Sequence, residues 1–172
     1  MAQAVVLPEI SQFSYIEDVL LKEPFKPLYI DYEVDRVSFG LLQMRPNFAV
    51  DVEQRLQEHP QLARQFSDLC SYGVKEPEQI RKRRIERLEN LRYQTRYLAA
   101  FMLLAQERIK RWGITSPQLQ VCYYATLYNG GLKLDQNDVK LLFDKKQFPH
   151  GKITQYNYSS IALEFFEHLS NR

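Results

Sequence analysis

The sequence predicts a mainly helical fold with a small β-hairpin or extended loop after the first helix. Three observations carry this. Apolar residues recur at spacings of three and four over most of the 172-residue chain. The segments so defined are bounded by proline, glycine and side chains suited to capping. Only residues 25–39, FKPLYIDYEVDRVSF, instead alternate aromatic or β-branched with polar types. The length fits one domain over 1–172, with a core from 10 to 170 and an N-terminal arm at 1–9.

The first helix is expected from Ile10 to Glu23, because Ile10, Phe13, Ile16, Val19 and Leu20 share a face and Pro24 disfavours helical geometry at the residue before it. The alternating stretch 25–39 follows as the hairpin or extended loop. Asn47 is placed to cap a helix that runs to His59, where Pro60 interrupts it. Leu62, Phe66 and Leu69 mark a short helix closed by Gly73. After Pro77 comes the longest element. Leu88, Leu91, Thr95, Leu98, Met102, Ala105, Ile109 and Trp112 continue without a break to Gly113. Ser116 and Pro117 form a cap and first-turn pair for the next helix, which Gly130 and Gly131 end. Asp135 starts a further short helix, and Asn157 caps a terminal one carrying Ile161, Phe165 and Leu169.

Composition narrows the function classes. A formal net charge of +2 does not describe a chain built throughout as a polyanion binder. Cys70 and Cys122 are too few for a disulfide scaffold and lack metal-ligand spacing, so they are expected to fill helix faces as thiols. His59, His150 and His168 are scattered and fit no metal motif. There is no glycine-rich phosphate loop, nucleophile elbow or dinucleotide fingerprint, and no cofactor is implied. No apolar run approaches membrane-spanning length. The start, MAQAVVLPEI, lacks the basic and long apolar parts of an intact signal peptide, although AQA resembles the small-residue end of a cleavage site, as if a leader had been removed.

Chemistry concentrates in SFGLLQMRPNFA, residues 38–49. Gly40 and Pro46 each disrupt a regular helical interior, so the stretch reads as a sharp turn presenting Gln43 and then the start of a new helix. This block resembles the Ser-x-Gly-Leu-Met-Gln-x-x-Pro-x-x-Ala block of the soluble lytic transglycosylase catalytic domain, a branch of the lysozyme-like superfamily close to goose-type lysozyme. ENLRYQTRYLAA, residues 89–100, is similar to that family's Asn-Ile-x-x-Gly-x-x-Tyr-Leu helix, with Thr95 taken as the replacement for its glycine. YYATLYNGG, residues 123–131, resembles its Ala-x-x-Tyr-Asn-x-Gly. Order and spacing of the three blocks across residues 10–170 give the likeness its specificity.

The resemblance implies an α+β lysozyme-like fold and a carboxylic acid that donates a proton to a glycosidic oxygen. Glu23 lies 17 residues before Gly40 at a helix end, and KEPFKP looks like the family's Glu-Ser-x-Phe-x-Pro with Pro24 for serine and one residue missing. The pattern itself agrees, since Glu23 shares the face of Ile16, Val19 and Leu20. Partial burial and a helix carboxyl end both disfavour a carboxylate there. Ser38 stands where lysozymes often hold a second carboxylate, which favours a one-carboxylate mechanism. The resemblance then implies that Tyr128 hydrogen-bonds Glu23, that Asn129 holds the loop or touches sugar, that Ser38 and Gln43 bind N-acetyl or hydroxyl groups, and that Gly40 admits the sugar close to the backbone. Gln43 could equally pin its own turn, and Tyr128 could be a core aromatic beside an Asn-Gly-Gly turn. Tyr29, Tyr32, Tyr123 and Tyr124 could stack on sugar faces. Asp31, Glu33 and Asp35 read as a solvated acidic hairpin.

The implied substrate is the glycan strand of peptidoglycan, cut between N-acetylmuramic acid and N-acetylglucosamine by a periplasmic, cell-surface or exported enzyme expected to act as a monomer. Two rivals stand beside this reading. One is a lysozyme-like domain that binds glycan without cutting it. The other is a helical adaptor or nucleic-acid-binding domain using RKRRIERLENLRYQTR, residues 81–96. Glu86 and Glu89 interrupt that basic run, and its charges spread round the helix, so it reads as a solvated face and no nucleic-acid partner is expected.

Overall fold

Pro46, Pro60, Pro77 and Pro117 each open a helix, at a position where the missing N–H would have no intrahelical partner anyway. The structure, a computed structural model, describes residues 1–12, 25–35, 37–148 and 155–170. Glu23, His150 and most of the expected Ile10–Glu23 helix lie outside the described residues.

In chain order the elements are α1 (Ala2–Gln12), α2 (Lys26–Tyr32), α3 (Pro46–Gln57), α4 (Pro60–Gln65), α5 (Ser67–Cys70), α6 (Pro77–Glu89), α7 (Leu91–Arg111), α8 (Pro117–Gly130), α9 (Gln136–Leu142), β1 (Lys146–Phe148), β2 (Tyr156–Asn157) and α10 (Tyr158–Ser170). The fold is mainly helical with a small antiparallel strand pair, the class the sequence predicts. That pair joins β1 to β2, with Lys146 opposite Asn157 and Phe148 opposite Tyr156. Its place in the chain is not the expected one. Within this stretch Lys26–Tyr32 form α2, and Phe39 pairs with Met44 in an isolated bridge. The β-type composition of α2 is overridden by α6, from which Arg81 grips the Ile30 carbonyl and Arg84 the Tyr29 hydroxyl.

Three further expectations change. Residues 1–9, read as an arm, belong mostly to α1, where Ala4 and Val5 are fully buried. The long helix after Pro77 breaks at Asn90, which is extended (φ −97°, ψ 116°) and whose side chain accepts from Arg92 N–H at 2.9 Å. Asn90 therefore caps a new helix. The buried stripe of α7 includes Gln94, Tyr97, Phe101, Leu104 and Ile109, and it differs from the expected stripe because the polar Gln94 lies on it while Leu91 and Thr95 do not. Other signals hold: Ser116 accepts from Leu119 N–H, Asp135 makes a reciprocal capping box with Asp138, and Asn157 accepts from Ser160 N–H.

The chain forms two compact units, here termed central (Phe13–Ala100) and terminal (Met1–Gln12 with Phe101–Arg172). In the central unit Phe39, Met44, Val52, Leu56, Leu69 and Leu88 are buried, as is Tyr97. In the terminal unit α8 is the enclosed helix: residues 123–128 are all buried, the mark of a helix covered on every side. α1, α9 and α10 pack on it. Both cysteines are free thiols whose ionisation is pushed up by burial.

Candidate functional site

The stretch SFGLLQM forms a tight turn anchored at both ends. Phe39 and Met44, both buried, exchange backbone hydrogen bonds of 2.9 and 3.1 Å. Gly40 (φ +66°) and Gln43 (φ +49°) are left-handed, which explains the glycine and makes Gln43 a costly exception. The Gln43 amide stabilises that exception: Nε2 donates to the Gly40 carbonyl at 2.7 Å, and Oε1 accepts from the Ser38 hydroxyl at 3.0 Å. Ser38, Gly40 and Gln43 are thus brought together, with both polar side chains engaged in the turn itself.

Gln94 docks this turn on the first turn of α7. Its Oε1 accepts from Leu42 N–H at 3.1 Å, and its Nε2 donates to the Phe39 carbonyl at 2.6 Å. A Cβ on residue 40 would lie 2.3 Å from Gln94 Nε2 and 2.6 Å from the Leu88 carbonyl oxygen. Counted from Asn90 to Tyr97, the glycine of the family's helix pattern falls on Gln94 and not on Thr95, which is exposed and whose hydroxyl donates to the Arg92 carbonyl. Two of the three blocks therefore meet through Gln94. The signal is present in the sequence but easily missed, since hydropathy alone sets a polar residue off the buried face.

Asp35, expected in a solvated hairpin, is instead half-buried. Burial raises its carboxyl above the ordinary value; the Arg45 charge and hydrogen bonds from Asn47 oppose this. Arg45 gives α3 no side-chain cap, so Asp35 supplies an acceptor to its amino end from outside the helix. Its Oδ1 is buried and unpartnered.

Sequence pattern does not single out Glu53, although it lies on the apolar face of α3 with Ala49, Val52 and Leu56. Its carboxylate accepts from Tyr72 Oη (2.5 Å), Tyr97 Oη (2.6 Å), and Arg84 Nε (3.2 Å) and Nη2 (2.8 Å). Arg84 Nη1 also donates to Tyr29 Oη at 2.8 Å. These donors fill Glu53 and leave it a scaffold anion. Tyr29, expected as a sugar platform, is buried with its hydroxyl on Arg84, so it offers no face to a glycan.

The basic run 81–96 is only in part the solvated face expected of it: Lys82, Arg83, Glu86, Glu89 and Arg92 are exposed, while Arg84 is buried and other arginines are engaged. Arg81 reaches Glu33 and the Ile30 carbonyl, and Arg83 the Tyr72 carbonyl. Arg87 reaches the Leu69 and Ser71 carbonyls and stacks on Tyr72 at 3.8 Å. Arg96 pairs with Asp68 at 2.6 Å and holds that carboxyl below its ordinary value. Arginines that fasten residues 65–72 and α2 to α6 and α7 are occupied within the central unit.

The third block lies in the terminal unit. Tyr128 ends the buried part of α8, meets Phe101 edge-on at 5.5 Å, and is followed by half-buried Asn129 and by Gly131 at φ +100°. Its phenol is pushed well above the ordinary value by burial and then by the Glu9 charge. Tyr123, packed between Phe143 (4.9 Å) and Trp112 (5.7 Å), is a core aromatic and not a sugar platform, and Tyr124 is likewise buried. Tyr32 is 74% exposed. Glu23 lies outside the described residues. Among the described residues no group of three or more His, Cys, Asp or Glu could hold a metal, and no helix is long and apolar enough to cross a membrane. Comparison with protein-family models, curated proteins and solved structures gave no match.

Proposed function

We propose that this chain cleaves the glycan strand of peptidoglycan as a lytic transglycosylase. One carboxylic acid protonates the oxygen between N-acetylmuramic acid and N-acetylglucosamine, and the C6 hydroxyl of the same muramic acid attacks C1 to close a 1,6-anhydro ring. The carboxylate takes the C6 hydroxyl proton, so no water is consumed. The observation that supports this reading most is the Gln94 bridge, which joins two blocks far apart in the sequence that each resemble the same family.

The glycan substrate lies outside the cytoplasmic membrane, so the reading carries periplasmic, cell-surface or exported action with it. A glycan-binding domain without turnover is the second reading, favoured by one observation: Ser38 and Gln43 direct their polar groups into their own turn. Digestion of purified peptidoglycan followed by mass analysis separates the two. Anhydro-muropeptides support the proposal, and reducing-end products indicate hydrolysis instead. Sedimentation with peptidoglycan but no released product indicates binding alone.

A further inference from the structure

Tyr29, Tyr123 and Tyr124 are buried, but Tyr32 is 74% exposed and has company. Phe25 and Leu28, at 40% and 39%, are also large apolar side chains left open to solvent. The three are spaced three and four residues apart along α2, so they fall on one stripe. Phe25 precedes the first residue of α2 yet already has helical geometry (φ −91°, ψ −13°), and the stripe therefore runs unbroken. From Phe25 to Tyr32 it is about 10 Å long at the helical rise per residue, the length of a β-1,4-linked disaccharide.

A helix as short as α2 is marginal unaided, and its other flank is fastened to α6. Lys26 pairs with Glu89 at 2.5 Å, and the Tyr29 hydroxyl accepts from Arg84 at 2.8 Å. Arg81 holds the Ile30 carbonyl and reaches Glu33 at 2.6 Å. The stripe is thus displayed on a backbone already fixed by its neighbour, which lowers the ordering cost of binding.

Area and charge select the occupant. At these exposures the three side chains open on the order of 300 Å², well short of the roughly 800 Å² per partner of a stable protein interface. A second copy is therefore poorly served by it. Asp31, between Leu28 and Tyr32 in the chain, is exposed and enters no ion pair among the described residues. A carboxylate there repels anionic membranes and nucleic acid but can accept hydrogen bonds from hydroxyl groups. A neutral hexosamine ring meets both features, with an apolar C–H face for the aromatics and hydroxyls for the carboxylate. We infer that Phe25, Leu28 and Tyr32 form a binding platform for β-1,4-linked N-acetylhexosamine chains, with Asp31 as hydroxyl acceptor. The choice of glycan rests on the function proposed above.

The test measures calorimetric binding of chitohexaose, a soluble β-1,4-linked N-acetylglucosamine oligomer, alongside sedimentation with and digestion of purified peptidoglycan. Tyr32→Ala and Phe25→Ala, checked for folding by circular dichroism, are each expected to weaken chitohexaose binding about tenfold, as loss of an apolar contact of this size would. Tyr32→Phe keeps the ring and is expected to bind as the wild type does. Undiminished binding by both alanine variants overturns the platform. So does an equal loss in Leu141→Ala, which removes an exposed apolar side chain of the terminal unit. Self-association abolished by Tyr32→Ala, with sugar binding unchanged, overturns it in favour of a second copy. The two proposals fail separately. Tyr32-dependent binding without anhydro products keeps the platform and overturns cleavage, whereas anhydro products with Tyr32-independent binding keep cleavage and overturn the platform.

Discussion

Removing one partner of the Glu53–Arg84 pair tests whether the centre of the central unit is held by charge. The two side chains are 9% and 10% exposed and 2.8 Å apart, so neither can turn to bulk water without moving α3 from α6. Glu53→Leu would leave the Arg84 guanidinium buried with the Tyr29 hydroxyl and the Tyr72 ring beside it but no carboxylate to neutralise it. An uncompensated buried charge of this kind costs about 3–5 kcal/mol. At about 2–4 °C per kcal/mol for a chain of this size, the melting temperature should fall by roughly 6–20 °C. Tyr72 and Tyr97 lose an acceptor but sit 3.3 Å apart and can pair with each other. The double variant Glu53→Leu/Arg84→Met removes both charges and should recover at least about 2 kcal/mol relative to the summed single losses. Urea unfolding followed by circular dichroism measures the double variant and both single ones. A Glu53→Leu loss below about 1 kcal/mol, or a double variant equal to the sum, would refute the reasoning.

Gly40→Ala should destabilise by about 3–4 kcal/mol, taking about 1–2 for a left-handed alanine and about 1 for each of the two Gln94 hydrogen bonds it displaces. A loss under about 1 kcal/mol in the same unfolding assay would show that the turn can relax. Asp35→Asn should gain on the wild type as the pH rises from acid to neutral. The raised folded value of Asp35 gives a contribution present below its unfolded value and lost as pH rises through the folded one, and asparagine has no such loss. Urea midpoints at acid and neutral pH check this, and a constant difference would contradict it.

Several local signals hold where the determining groups are neighbours in the chain, but Asn47, expected as a cap, lies inside α3 behind the N-cap Arg45. The Ser116–Pro117 start, the Asp135 box, the Asn157 cap and the Gly40 turn each depend on contacts within a few residues, and each is found. The pattern failed where a polar side chain is buried by a distant partner. Gln94 and Glu53 sit on buried faces only because the Gly40 turn and Arg84 satisfy them, and hydropathy alone counts both as solvent-facing. Residues 26–32 became a helix for the same reason, through Arg81 and Arg84.

By itself the sequence determined the helical class, the starts of α6, α8, α9 and α10 and the sharp turn at Gly40, because these follow from backbone sterics and short-range hydrogen bonds. Only the tertiary structure decided which polar groups are buried and which arginines are occupied. Those facts depend on desolvation and pairing between residues far apart in the chain, for which no local pattern exists.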